Sequence, residues 1–224
     1  MLVVLTLLLM LASCRHAPAA PTADAAATPE DALAQWHARQ PERFKMVHQV
    51  SAKWGSDGGG VVTGYMLGKK DGSFRVGAAI SMGPRVFDVA RVGGQYSSEV
   101  HIDEAKGKLD PLHVAHAIEW TYFSMCDGGG ERKGERFVYR CAVSGGEPDT
   151  LEVDLDPKRL CVTEKRFLKG GELVLKVTYD ELEPFGAEWL ARRVHLQGRE
   201  GYSIDIALVQ YDPAFAFDDA RLKL

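Results

Sequence analysis

The residues that carry covalent chemistry are present in this chain, but not in arrangements that perform it. Four cysteines occur in 224 residues, and none forms a Cys-x-x-Cys pair, which excludes a dithiol redox centre. There is no Gly-x-Ser-x-Gly elbow to present a hydrolase nucleophile. There is no His-Glu-x-x-His motif for zinc. The glycine runs "WGSDGGG" and "CDGGG" are not followed by Lys-Ser/Thr and sit among strand patterns, so neither is a phosphate loop. Charge of one sign is not in excess: 27 Lys and Arg stand against 31 Asp and Glu, a net charge of −4. That leaves no basic footprint for nucleic acid. The long apolar run is Leu2–Ala12, interrupted only by Thr6. It is too short for a hydrocarbon core, which needs about 20 residues.

What is present at the N-terminus has the dimensions of an export signal. The apolar run is as long as a signal-peptide core and is followed by the small residues Ala12 and Ser13, although no Lys or Arg precedes it. Leu11-Ala12-Ser13-Cys14 resembles the bacterial lipobox, in which small residues admit the peptidase and the thiol accepts a diacylglycerol thioether. The expected organisation is a lipoprotein signal peptide over 1–13, a lipidated Cys14 heading a tether over 14–29, and a folded domain over 30–224. Several acyl chains on one cysteine make a stable anchor where one chain is marginal. The tether is Ala-, Pro- and Thr-rich and carries no core-forming residue. Arg15 follows the cysteine rather than Asp, which favours the outer membrane. The expected location is the bacterial envelope, lipid-anchored and facing the periplasm.

From residue 28 onward the pattern is that of a mainly β domain. Thr28, Pro29, Glu30 and Asp31 read as a helix start, with Ala32, Leu33 and Trp36 on one apolar face. The period then changes to two, with Phe44, Met46, His48, Val50, Ala52 and Trp54 on one side of a strand. Short glycine turns, including Asp71-Gly72, join five strands into an antiparallel meander. Asp110-Pro111 starts a second helix, and six more strands follow. The eleven strands and two helices are too many for a flat two-layer domain. They predict a curled antiparallel sheet, an incomplete half-barrel with a helical lid. The acids of "DELE" (180–183) read as a turn before Pro184.

The inner face of such a sheet is the candidate functional surface. Its candidate cavity residues are Phe74, Val76, Ile80, Phe137, Tyr139, Leu175, Val177, Ile204 and Ile206. Acyl chains buried there gain about 0.8 kcal/mol per methylene. The plain alternative is that these side chains pack against the two helices as an ordinary core. His113, His116 and Glu119 are spaced along one helix face, but no second cluster accompanies them, and the expectation is surface histidines with no metal and no cofactor. Cys126 and Cys141 flank the loop "DGGGERKGERFVYR". A disulfide there, in an oxidising compartment, closes about 15 residues and is worth roughly 3 kcal/mol. Cys141 with Cys161, on neighbouring strands, is the competing pair.

The order of lipobox, tether, short helix, meander, helix and hairpins resembles the LolA/LolB-type lipoprotein carriers, most nearly the uncharacterised LolB-like outer-membrane lipoproteins. The residues that carry it are "GSFRVGAAISMGPRVFDVARVGGQ" (72–95) and "GELVLKVTYDEL…ARRVHLQGREGYSIDIALVQYDP" (171–213). The resemblance implies an eleven-stranded half-barrel with a helical lid and an apolar cavity that holds acyl chains. The missing catalytic motifs speak against an enzyme, and the expected ligands are acyl chains of lipoproteins or another envelope lipid. The resemblance also implies a protruding loop with an exposed apolar residue that meets the membrane, for which Met82 in "ISMGP" is the candidate. The alternative function is a non-catalytic periplasmic scaffold with the same fold and a filled core, binding an envelope protein partner.

Overall fold

The computed structural model describes residues 26–54, 58–80, 83–103, 110–143, 148–186, 188–199 and 201–224. The apolar run, Cys14, nearly all of the tether and the Met82 loop lie outside these residues. Ala26, inside the stretch assigned to the tether, is buried, and its N–H meets the Pro157 carbonyl at 3.4 Å. Contact with the domain therefore begins before residue 30.

Helix α1 runs Pro29–Arg39. The Thr28 hydroxyl caps it by accepting the Asp31 N–H at 3.1 Å, Pro29 fills the first position, and Glu30 and Asp31 lie at the positive end of the dipole. Five strands follow: β1 Arg43–Trp54, β2 Gly58–Lys69, β3 Phe74–Ile80, β4 Arg85–Val92 and β5 Gln95–Val100. Between β2 and β3 the Asp71 carboxylate accepts the Ser73 N–H at 2.8 Å, and Gly72 takes φ +81° to close the turn. Helix α2, Pro111–Tyr122, is capped by Asp110, which accepts from the Leu112 and His113 N–H groups. Seven strands complete the chain: β6 Gly130–Lys133, β7 Arg136–Ala142, β8 Thr150–Asp156, β9 Cys161–Lys169, β10 Glu172–Phe185, β11 Glu188–Gly198 and β12 Tyr202–Asp212.

All twelve strands form one antiparallel sheet in the order β5-β4-β3-β2-β1-β12-β11-β10-β9-β8-β7-β6. The chain walks outward from β1 to one edge at β5. It then crosses to the opposite edge through α2 and walks back from β6 until β12 pairs with β1. The edges β5 and β6 do not meet, so the half-barrel stays open, and α2 lies on its inner face toward the β4–β5 edge.

Among the described residues the count is twelve strands rather than eleven. The extra one, β6, has the sequence Gly-Glu-Arg-Lys and offers no hydrophobic alternation to reveal it. It pairs with β7 through Lys133 opposite Arg136, so the stretch read as a loop between Cys126 and Cys141 is a hairpin. The acids at 180–183 are not in a turn either. β10 continues through them to Phe185, with Leu182 opposite Ala191 and Pro184 opposite Trp189. Pro184 stands next to the hairpin end, where a missing N–H costs least.

Two clusters fill the inner face. One joins Ala32 and Leu33 of α1 to Phe137, Tyr139, Val153, Phe167, Leu175 and Val177. The other joins Phe44, Met66, Phe74 and Val89 to Ala115 of α2, with Ile118, Tyr122 and Phe123 against it. Helix α1 sits against β6, and α2 against β4 and β5. The strands midway between, β1 and β10 to β12, form the floor between these two covers.

Candidate functional site

A cavity of about 180 Å³ lies over that floor. Phe44 and Met46 come from β1, Ile206 and Leu208 from β12, and Leu190 and Val194 from β11. Trp36 and Pro41 close it at the end of α1, and Thr121, Tyr122 and Phe123 at the end of α2. Lys69 and Lys70, from the turn end of β2, stand on its rim with Glu188 from the tip of the β10–β11 hairpin. The cavity exists because two helices of 11 and 12 residues cover the ends of a twelve-stranded sheet and leave its middle to side chains alone.

The deep end is polar. A helix C-terminus leaves its last carbonyls without intrahelical partners, and here the sheet supplies donors. The Lys165 ammonium on β9 donates to the carbonyls of Trp120 at 3.0 Å and Thr121 at 2.9 Å, and the Tyr179 hydroxyl on β10 donates to the same Thr121 carbonyl. Lys165 is only 3% exposed, and burial pushes its pKa down to about 7. His48 on β1 is also buried, and burial lowers it to about 4, so it is neutral at pH 7 and can accept the Tyr122 hydroxyl at Nε2, 3.0 Å away. At the other end, Glu188 accepts from the Tyr211 hydroxyl at 3.1 Å, and burial raises its pKa to about 7.

Of the nine candidate cavity residues, Ile206 lines this cavity. Phe74 and Val76 are buried beneath α2, where the Phe74 and Phe123 rings stack at 5.2 Å. Phe137, Tyr139, Leu175 and Val177 are buried in the cluster under α1, and Ile204 packs against it. The Tyr139 hydroxyl donates to the Pro29 carbonyl at 2.6 Å. Ile80 is 45% exposed near the end of β3. The predicted set falls mostly in the packed clusters at the two ends of the inner face, because periodicity assigns a face and not the gap above it.

Cys126 and Cys141 are disulfide-bonded, with Cα atoms 5.6 Å apart, and hold the chain after α2 to β7. Cys161 is a free, buried thiol on the cavity wall, pushed up to about 12 by burial. His116 and Glu119 are engaged beside β5, where Glu119 meets Arg91 at 3.3 Å and accepts from Tyr96, while His113 is exposed. Among the described residues no three His, Cys, Asp or Glu side chains converge on a metal position. Periodicity does not single out Lys165, Glu188 and the hydroxyls of Tyr122, Tyr179 and Tyr211 as the polar groups of the site. One signal was available: Lys165 stands two residues from Phe167, on the inward parity of its strand.

No protein-family profile matches the sequence, and no curated protein matches it. Solved structures do match in shape. A DUF1329 family protein from Desulfovibrio piger superposes with a TM-score of 0.60 at 12% identity, covering 90% of this chain and 98% of that one. A LolA-superfamily protein from Nitrosomonas europaea gives 0.59 at 10% identity, with 88% and 98% covered. A domain assigned to outer membrane lipoprotein sorting from Vibrio parahaemolyticus gives 0.56 at 10% identity, with 86% and 95% covered. The chain has the LolA/LolB-like fold. At these identities the likeness is one of fold alone.

Proposed function

We propose that the protein is a lipid-anchored carrier of the bacterial envelope that takes up acyl chains of lipoproteins or another envelope lipid. In this reading Cys14 carries the anchor, the domain faces the periplasm from the outer membrane, and no chemistry is performed. The observation that carries the reading is the cavity between the central strands and the end of α2. It is walled by Phe44, Met46, Leu190, Ile206 and Leu208 and roofed by a helix held from below through hydrogen bonds to carbonyl oxygens. The lipoprotein-sorting domain and the LolA-superfamily protein of the same fold support it.

The size of the cavity sets a condition. At about 180 Å³ it is close to the roughly 150 Å³ engineered cavity that accepts benzene, and below the roughly 300–1,000 Å³ of common ligand sites. A multi-chain lipid anchor enters only if α2 moves away from the sheet. The described conformation is then the closed one. The same small volume favours a second reading, a scaffold with a nearly filled core that binds an envelope protein partner. Titration of the chain from Arg15 onward with a fluorescent fatty-acyl probe separates the two. Saturable binding with displacement by unlabelled lipid is expected of the carrier. Absence of binding over the whole soluble range of the probe leaves the scaffold.

A further inference from the structure

Two neighbouring cations on β9 point to opposite faces of the sheet and meet opposite surroundings. Arg166, on the outer face, is met by Glu152 at 3.0 Å, Asp154 at 2.8 Å and Glu164 at 2.6 Å. Lys165, on the inner face, has no carboxylate within ion-pair distance among the described residues. Its neighbours across the sheet are Val153 and Val177, both fully buried. Two of its three ammonium hydrogens go to the Trp120 and Thr121 carbonyls, and among the described residues its other neighbour is the face of the Tyr179 ring, 5.7 Å from the nitrogen, with no third oxygen acceptor.

A buried ammonium without a counter-charge is costly. The C-terminal end of α2 offers partial negative charge, equivalent to about half an elementary charge over the last turn. That is enough to orient the amine and not enough to neutralise it. If the lysine served only to hold α2, a tyrosine hydroxyl in the manner of Tyr179 would do so without burying a charge. Glu188, the carboxylate on the cavity wall, stands at the rim, hydrogen-bonded to Tyr211, and makes no ion pair with Lys165. The cavity thus has apolar walls and, at its inner end, an amine that no carboxylate among the described residues pairs with.

We propose that the ligand of this cavity is a single-chain amphiphile with an anionic head group, a carboxylate or a phosphate, whose head pairs with Lys165 while its tail lies along Ile206, Leu208 and Leu190 toward the rim. This rests on the acyl-chain reading above and narrows it to a charge class. The volume fits one chain segment rather than several, and the lysine's free hydrogen supplies the charge-assisted bond.

The test compares dodecanoate, dodecyl phosphate and dodecanol by calorimetry on the chain from Arg15 onward, in the natural sequence and in Lys165→Met and Lys165→Arg. The expected result is that an anion binds the natural sequence at least tenfold more tightly than the alcohol, that Lys165→Met removes this preference, and that Lys165→Arg retains part of it. Tighter binding of the carboxylate points to a fatty acid as the source of the head group, and tighter binding of the phosphate to a phospholipid. Equal binding of alcohol and anions, or a preference that survives in Lys165→Met, overturns the charge class but leaves the carrier reading standing. No binding of any of the three overturns both. If Lys165→Met does not fold, Lys69→Ala with Lys70→Ala separates the rim from the inner end: the anion preference should persist in it, and its loss there would overturn the pairing with Lys165.

Discussion

The ammonium of Lys165 lies 2.9 Å from the carbonyl oxygen of Thr121, so the middle of the sheet holds the end of the crossover helix from inside. Hydrogen bonds to a charged group are worth about 1.5–3 kcal/mol. Lys165→Met removes this bond together with the one to the Trp120 carbonyl and leaves the helix end tied by Tyr179 and by the Tyr122–His48 pair. Amide exchange in the last turn of α2 is expected to speed up about tenfold or more, corresponding to about 1.4 kcal/mol. Exchange in the paired strands β8 and β9 should change less. Uniform acceleration across the domain would show instead that the lysine supports the whole fold.

Burial holds Lys165 at about 7, below its ordinary 10.5. Between those values the unfolded chain binds a proton that the folded chain has released, so this group makes stability rise with pH across the window. Stability contributed in this way is complete above the ordinary value and is lost as pH falls through about 7. Chemical denaturation at pH 7 and at pH 10 should show the natural sequence gaining on Lys165→Met by a few kcal/mol. Glu188, raised from 4.5 to about 7, has the opposite sign: its contribution is present below 4.5 and lost as pH rises through about 7. Parallel pH profiles for the natural sequence and Lys165→Met would refute the buried position of the amine.

Much of this arrangement is legible in the sequence, and the limits of legibility have physical causes. Thr28 and Asp110 announce their helices because a side-chain oxygen before proline is what a helix start requires. The inward residues of β1 follow from strict alternation of Phe44, Met46 and His48. Strand β6 is hidden because an edge strand of charged residues has no buried face to mark it. The end of β10 is hidden because Asp180 to Pro184 have turn composition and Glu181 takes φ +52°, and only pairing with β11 carries the strand through them. The cavity lining is hidden for a different reason. It depends on where two helices stop over a twelve-stranded sheet, and residues such as Leu190 and Tyr211 acquire a role only from that geometry.

The Cys126–Cys141 bond closes a loop of 15 residues around the β6–β7 hairpin and joins the exit of α2 to the sheet. Loop-closure entropy assigns it roughly 3 kcal/mol. Cys126→Ala with Cys141→Ala is expected to unfold at lower denaturant by about that amount, whereas Cys161→Ala should leave the midpoint nearly unchanged. Native-state alkylation should spare Cys161, whose thiol is buried and pushed up to about 12, and modify it on denaturation.

The anchor is tested separately from the cavity. Cells grown with an alkyne-tagged fatty acid should label the natural chain, and Cys14→Ser should lose the label and leave the membrane fraction. Labelling that persists in Cys14→Ser would place the acyl group elsewhere.

Native mass spectrometry of the chain from Arg15 onward, exported behind a cleavable signal peptide and purified from the periplasm without detergent, tests the central claim most directly. The account predicts a population heavier than the polypeptide by the mass of an acyl-chain lipid, released on collisional activation and depleted by bulky substitution of the wall, such as Leu208→Trp. A single species at the polypeptide mass, unchanged after incubation with envelope lipid extract, would contradict it.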